Sequence, residues 1–155
     1  MYHRILVPME DEQQEPAATH ARALAASSGA TVILAWLVPV LDSGERFFSQ
    51  IQVEPGSSGA RRKEQGEAYL ARARQAFAKQ GVALEARVVV TALPPEQAIV
   101  DLAAEEEIDL IVMTTLPQSA VGRFLFGSVG EKVRRRATIP VLFVSPTAQE
   151  GGKGA

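Results

Sequence analysis

The sequence predicts a single α/β domain: one mostly parallel, five-stranded sheet with helices on both faces. Three observations lead there. Short, β-branched apolar runs alternate with amphipathic segments of helical period along most of the chain. Those runs are continuously apolar rather than alternating, as strands covered on both sides require. The 155 residues match the size of one domain, with ordinary apolar (46%) and charged (22%) fractions. Strict β-α alternation favours parallel pairing with right-handed crossovers.

In chain order, Ile5-Leu6-Val7 is a first strand closed by Pro8. Pro16 to Ser28 reads as a helix with Ala17, Ala21, Leu24 and Ala25 on one face and Gly29 as its stop. Thr31 to Leu37 is a second strand. Residues 38–60 carry Pro39, Gly44, Pro55, Gly56 and Gly59, and are expected to form a long flexible loop, with Phe47, Phe48 and Ile51 available to pack. A helix follows over Arg61 to Gln80, with Tyr69, Leu70, Ala73, Ala76 and Phe77 on its apolar stripe. Leu84 to Val90 is the third strand. Pro94 to Glu107 is a helix turning Ile99, Leu102 and Ala103 inward. Leu110 to Met113 is the fourth strand, Val129 to Ala137 a short helix, and Val141 to Val144 a fifth strand stopped by Pro146. Residues 1–146 make the expected domain, and 147–155 a disordered, Gly-rich tail.

Several function classes are excluded or disfavoured at this level. There is no cysteine, so disulfides, thiolate metal sites and a cysteine nucleophile are ruled out. A net charge of -2 gives no field for holding a nucleic acid backbone. No apolar run approaches the about 18 residues of a membrane span, and the opening residues lack a signal-peptide pattern, so a cytoplasmic protein is expected. His3 and His20 read as structural. Arg134-Arg135-Arg136 complements a helix C-terminus, and Glu105-Glu106-Glu107 reads as a solvated helix end. No Gly-x-Ser-x-Gly elbow is present and neither Ser119 nor Ser128 has an adjacent base, so no catalytic residue is assigned.

The most informative segment runs from Met113 to Val133, out of an apolar strand and into a helix at Gly127-Ser128. Free N–H groups at a helix start suit an anion. Gly127 would admit a phosphate to the backbone and Ser128 would offer a hydroxyl. Ser128-x-x-Glu131 is also a capping box, and local chemistry alone favours that structural role.

Four pieces in order resemble the universal stress protein family: Ile5-Leu6-Val7-Pro8-Met9-Glu10, Asp109-Leu110-Ile111-Val112-Met113, Gly127-Ser128-Val129-Gly130-Glu131-Lys132-Val133, and Ile139-Pro140-Val141-Leu142-Phe143-Val144. The resemblance is collinear from residue 3 to about 145. It implies a Rossmann-like, homodimeric stress-response protein with a site for ATP or AMP, with Mg²⁺, built from Pro8, Glu10, Leu37, Thr114, Gly127, Ser128 and Val129. The dimer would form through strand 141–144. The family loop has Gly, two residues, Gly, nine residues, then Gly and Ser or Thr. Here the first two glycines are replaced by Thr114 and Pro117. Proline has no N–H to donate, and threonine puts a branched side chain where bare backbone is implied. The site is therefore expected to be degenerate, with weak nucleotide binding. The alternative is a dimer that binds no nucleotide and acts through protein contacts; a slow ATP hydrolase ranks below both. Glu10, Asp11 and Glu12 would repel a phosphate unless a divalent cation intervened; their other role is to stabilise the start of the first helix.

Overall fold

The computed structural model describes residues 1–40, 56–115 and 127–146. Expectations for the loop within 41–55, for Pro117 and Ser119, and for the tail from 147 onward lie outside the described residues.

Five strands form one sheet: β1 (Arg4–Met9), β2 (Thr31–Pro39), β3 (Leu84–Thr91), β4 (Leu110–Thr114) and β5 (Val141–Val144). Their spatial order is β3-β2-β1-β4-β5, and every pairing is parallel. Four α-helices connect them: α1 (Glu15–Ser28), α2 (Ser58–Lys79), α3 (Pro95–Glu105) and α4 (Gly127–Arg136). A short 3-10 helix, Glu12–Gln14, precedes α1 and was not visible in the apolar pattern.

Alternating residues of each inner strand serve two separate cores. Val7, Leu34, Trp36 and Val112 point to the side covered by α1 and α2, where they meet Ala17, Ala21, Leu70 and Phe77. Leu6, Ile33, Leu37 and Ile111 point to the opposite side and pack on Ile99 and Leu102 of α3 and Val133 of α4. The apolar stripes read from the helices are these contact faces.

Boundaries moved where tertiary pairing overrode local signals. β2 continues past Leu37 because Val38 and Pro39 pair with Val90 and Thr91. α2 begins at Ser58, within the segment assigned to the loop, because the Ser57 hydroxyl accepts the Ala60 N–H at 3.1 Å. Gly66 sits on α2 where it crosses Trp36. A Cβ there would come 2.4 Å from the indole ring, so only a residue without a side chain lets helix and sheet close up. The indole N–H donates to the Arg62 carbonyl at 3.0 Å.

Among the described residues, only β1, β2 and β4 are covered on both faces. β3 and β5 are the sheet edges, and β3 is half-exposed along most of its length. Its polar positions are closed by ions instead of a helix. Glu85 and Arg87 of β3 join Arg4 of β1 and Glu106, just past α3, in one network, with Arg4–Glu85 at 3.3 Å and Arg4–Glu106 at 3.1 Å. Glu106 is therefore not the freely solvated residue expected of the acidic run. The arginines on β1 and β3 draw it in, and the Arg4 Nε also donates to its carbonyl at 2.7 Å. Asp109 ties β4 to β1 by accepting the His3 and Arg4 amides at 2.8 and 3.0 Å. The imidazoles of His3 and His20 belong to exposed residues.

Candidate functional site

β1 lies at the centre of the sheet. The chain runs outward from it through β2 and β3, then returns to its other flank with β4 and β5. The order therefore reverses between β1 and β4, and a crevice opens beyond their carboxyl ends, the place where such sheets bind ligands. The cavity there measures about 260 Å³.

All seven residues singled out from the sequence line it. Pro8 and Glu10 come from the end of β1, Leu37 from β2 and Thr114 from β4. Gly127, Ser128 and Val129 come from the start of α4. Gln14, Ile99, Met113 and Gly130 complete the described wall. Ile99 is an inward-facing residue of the expected third helix, and Met113 and Gly130 lie inside the quoted motifs. Gln14 was not singled out, although Asp11 and Gln14 have the spacing of a capping box, which the 3-10 turn forms.

The walls differ in chemistry. Pro8, Leu37, Ile99 and Met113 supply an apolar surface. Opposite, α4 opens at Gly127, whose φ of 76° lies in the left-handed region that a Cβ disfavours by about 1–2 kcal/mol. Ser128 is exposed there. The Glu131 carboxylate, which a capping box would turn back toward Ser128, is taken by Arg134 (2.6 and 3.1 Å) and Arg135 (3.2 Å). Those hydrogen bonds, Arg134 first, hold its carboxyl below the ordinary range. The glutamate half of the capping box is thus committed elsewhere.

Thr114 stands where the motif has its first glycine, and its hydroxyl is engaged. It accepts the Ala17 N–H at 3.0 Å and donates to the Gln14 carbonyl at 2.9 Å. Gln14 is the residue preceding α1, and its side chain makes no capping bond to that helix. Thr114 therefore acts as a remote N-cap, satisfying an amide of the first turn that would otherwise lack a partner. The Gln14 side chain turns back instead and accepts the backbone N–H groups of Glu10 and Asp11.

The three acids after β1 separate. Asp11 caps the 3-10 helix through the Gln13 N–H at 2.9 Å, and Glu12 pairs with Arg72 of α2. Glu10 alone enters the crevice. Burial pushes its carboxyl above the ordinary range, the field of Arg62 opposes that, and Asp11 adds to it. Among the described residues no group of three or more metal-binding side chains converges, so the acidic run does not form a cation cage. The described wall offers an apolar slot, one carboxyl and a helix start.

The sequence model of the universal stress protein family matches residues 1–145. The chain belongs to the universal stress protein family. A universal stress protein of Thermus aquaticus is 35% identical over 147 residues, covering 93% of this chain and 99% of the relative. One from Methanocaldococcus jannaschii is 33% identical over 88 residues, 57% of this chain and 51% of the relative. Among solved structures, a family protein from Burkholderia pseudomallei superposes with a TM-score of 0.68 at 26% identity, covering 92% of this chain and 96% of that one. A universal stress protein in complex with cAMP superposes at 0.65 and 27% identity, covering 94% and 98%. Among the described residues, no helix of this universal stress protein is long and apolar enough to cross a membrane.

Proposed function

We propose that this universal stress protein is a regulatory binder of adenine nucleotides, with a weak hold on the polyphosphate. The carrying observation is the convergence of Pro8, Glu10, Leu37, Thr114, Gly127, Ser128 and Val129 on one cavity at the point where strand order reverses. The cAMP complex of a relative at 27% identity supports the ligand class. Leu37 and Ile99 would flank the base, and the amides from Gly127 onward would face the phosphate. Weakness follows from Thr114, whose side chain is tied to α1 and cannot move aside without breaking two hydrogen bonds. A divalent ion would arrive with the phosphates, since Glu10 is the one carboxylate in the described wall.

Binding, rather than turnover, is the reading. Glu10 is the only titratable side chain among the described lining residues, and catalysis of hydrolysis needs a positioned base with other groups to orient water. Calorimetric titration with ATP and Mg²⁺, AMP and cAMP tests the proposal. Measurable heat for at least one supports it. No heat and no thermal shift at millimolar ligand would sink it.

A second reading, a dimer acting through protein contacts, is favoured by β5. This strand has one neighbour in the sheet and leaves Leu142 37% exposed. An apolar edge is normally covered or paired. A monomer mass by light scattering at micromolar concentration counts against it.

A further inference from the structure

We infer that Gln14 is a specificity-determining residue of the crevice: its side-chain NH₂ donates to an acceptor on the bound nucleoside, while Glu10 beside it accepts from a neighbouring donor. This rests on the nucleotide reading above and extends it to recognition of the nucleoside.

Two hydrogen-bond sets fix Gln14. Its carbonyl accepts the Thr114 hydroxyl at 2.9 Å, which anchors the backbone. Its side-chain Oε1 accepts two backbone amides, those of Glu10 and Asp11, the latter at 3.4 Å. Only an oxygen can accept from two N–H groups, so the orientation of the carboxamide is set by chemistry. Nε2 therefore lies on the other arm of the same planar group, with two hydrogens to donate. It has no acceptor among the described residues, and Gln14 lines the cavity. A donor held this firmly loses little freedom on binding.

Glu10 lines the same cavity four residues earlier. A donor beside an acceptor complements a ligand edge that offers an acceptor beside a donor. The amino group and adjacent ring nitrogen of adenine form such an edge, which hypoxanthine reverses. A ribose hydroxyl, both donor and acceptor, is the other source of the same chemistry.

A purely structural Gln14 would only hold the β1–α1 turn. Gln14→Glu separates the roles, because it keeps an oxygen for the Glu10 and Asp11 amides and removes the donor. The expected result is a loss of about tenfold or more in AMP affinity, the worth of one hydrogen bond with a lost donor. Adenosine, which has no phosphate to be repelled, should show the same loss, and thermal unfolding should be close to that of the parent chain. On the parent chain, weaker binding of IMP than AMP assigns the contact to the base. Weaker binding of 2′-deoxy- or 3′-deoxy-AMP assigns it to the sugar. Equal affinity for AMP, IMP and both deoxy analogues overturns the inference, even if Gln14→Glu fails to fold. So does AMP binding by a folded Gln14→Glu chain that matches the parent. If the parent chain binds no adenine nucleotide, the nucleotide reading of the crevice falls and this inference with it.

Discussion

Replacing Thr114 by valine would isolate the remote cap at nearly constant volume. The exchange keeps the branched shape and removes the hydroxyl that accepts from Ala17 and donates to Gln14. Loss of an N-cap bond costs about 0.5–2 kcal/mol, and the deserted Gln14 carbonyl adds about 1 kcal/mol. The total, about 1.5–3 kcal/mol, corresponds in a chain of this size to a fall in midpoint of roughly 3–12 °C. Urea unfolding followed by far-ultraviolet circular dichroism gives the free energy. The slope should not change, since the surface exposed on unfolding is the same. Thr114→Ser keeps the hydroxyl and should lose only about 0.8 kcal/mol for one methyl group. A valine variant within about 0.5 kcal/mol of the parent would refute the capping role. Restoring both motif glycines, T114G with P117G, should raise nucleotide affinity and still forfeit the cap, so binding and stability move in opposite directions.

Three other outcomes are expected. Gly66→Ala drives a methyl into the Trp36 ring, and overpacking of this kind costs about 1–3 kcal/mol, to be read from chemical unfolding. Gly127→Ala strains the start of α4 by about 1–2 kcal/mol and should weaken AMP binding by calorimetry; an unchanged affinity would remove α4 from the site. The third concerns Glu10, whose carboxyl is raised above 4.5 by burial, so the native state holds its proton to higher pH than the unfolded chain does. Stability therefore falls as pH rises through that window, and a neutral glutamine escapes the loss. Glu10→Gln should be more stable than the parent at pH 8, with a smaller difference at pH 4, by urea titration at both; a gap that does not widen with pH contradicts this.

Much of the fold was legible because its signals are local. Ile5 to Val7 and Leu110 to Met113 are uniformly apolar, as doubly covered strands are, and the stripes on α1, α2 and α3 have helical period. The edges were less legible. β3 mixes Glu85 and Arg87 with apolar residues because an ion network covers it, and that network draws on Arg4 and Glu106 from elsewhere in the chain. Within the site, Gly127 and Ser128 were readable as a helix start after a strand, and the Asp11-x-x-Gln14 spacing encodes the capping box that turns the Gln14 side chain. The anchoring of its carbonyl comes from a threonine one hundred residues away, a dependence that no spacing or propensity encodes. The same contact explains what substitution of the motif glycine left open. Thr114 does more than fill space, since α1 depends on its hydroxyl.

Trp36 is the sole tryptophan of the chain. Its ring lies between β2 and α2, packs tilted at 33° with its centroid 5.7 Å from that of Tyr69, and is hydrogen-bonded to the carbonyl of Arg62. That same arginine's charge is felt at Glu10 in the crevice. Any intrinsic fluorescence excited at the red edge of protein absorption therefore originates from one seam, a single residue along β2 from Leu37 in the crevice wall. The molecule carries its own optical gauge, and a shift in emission colour on adding a nucleotide would report how α2 rides on the sheet, with no dye attached.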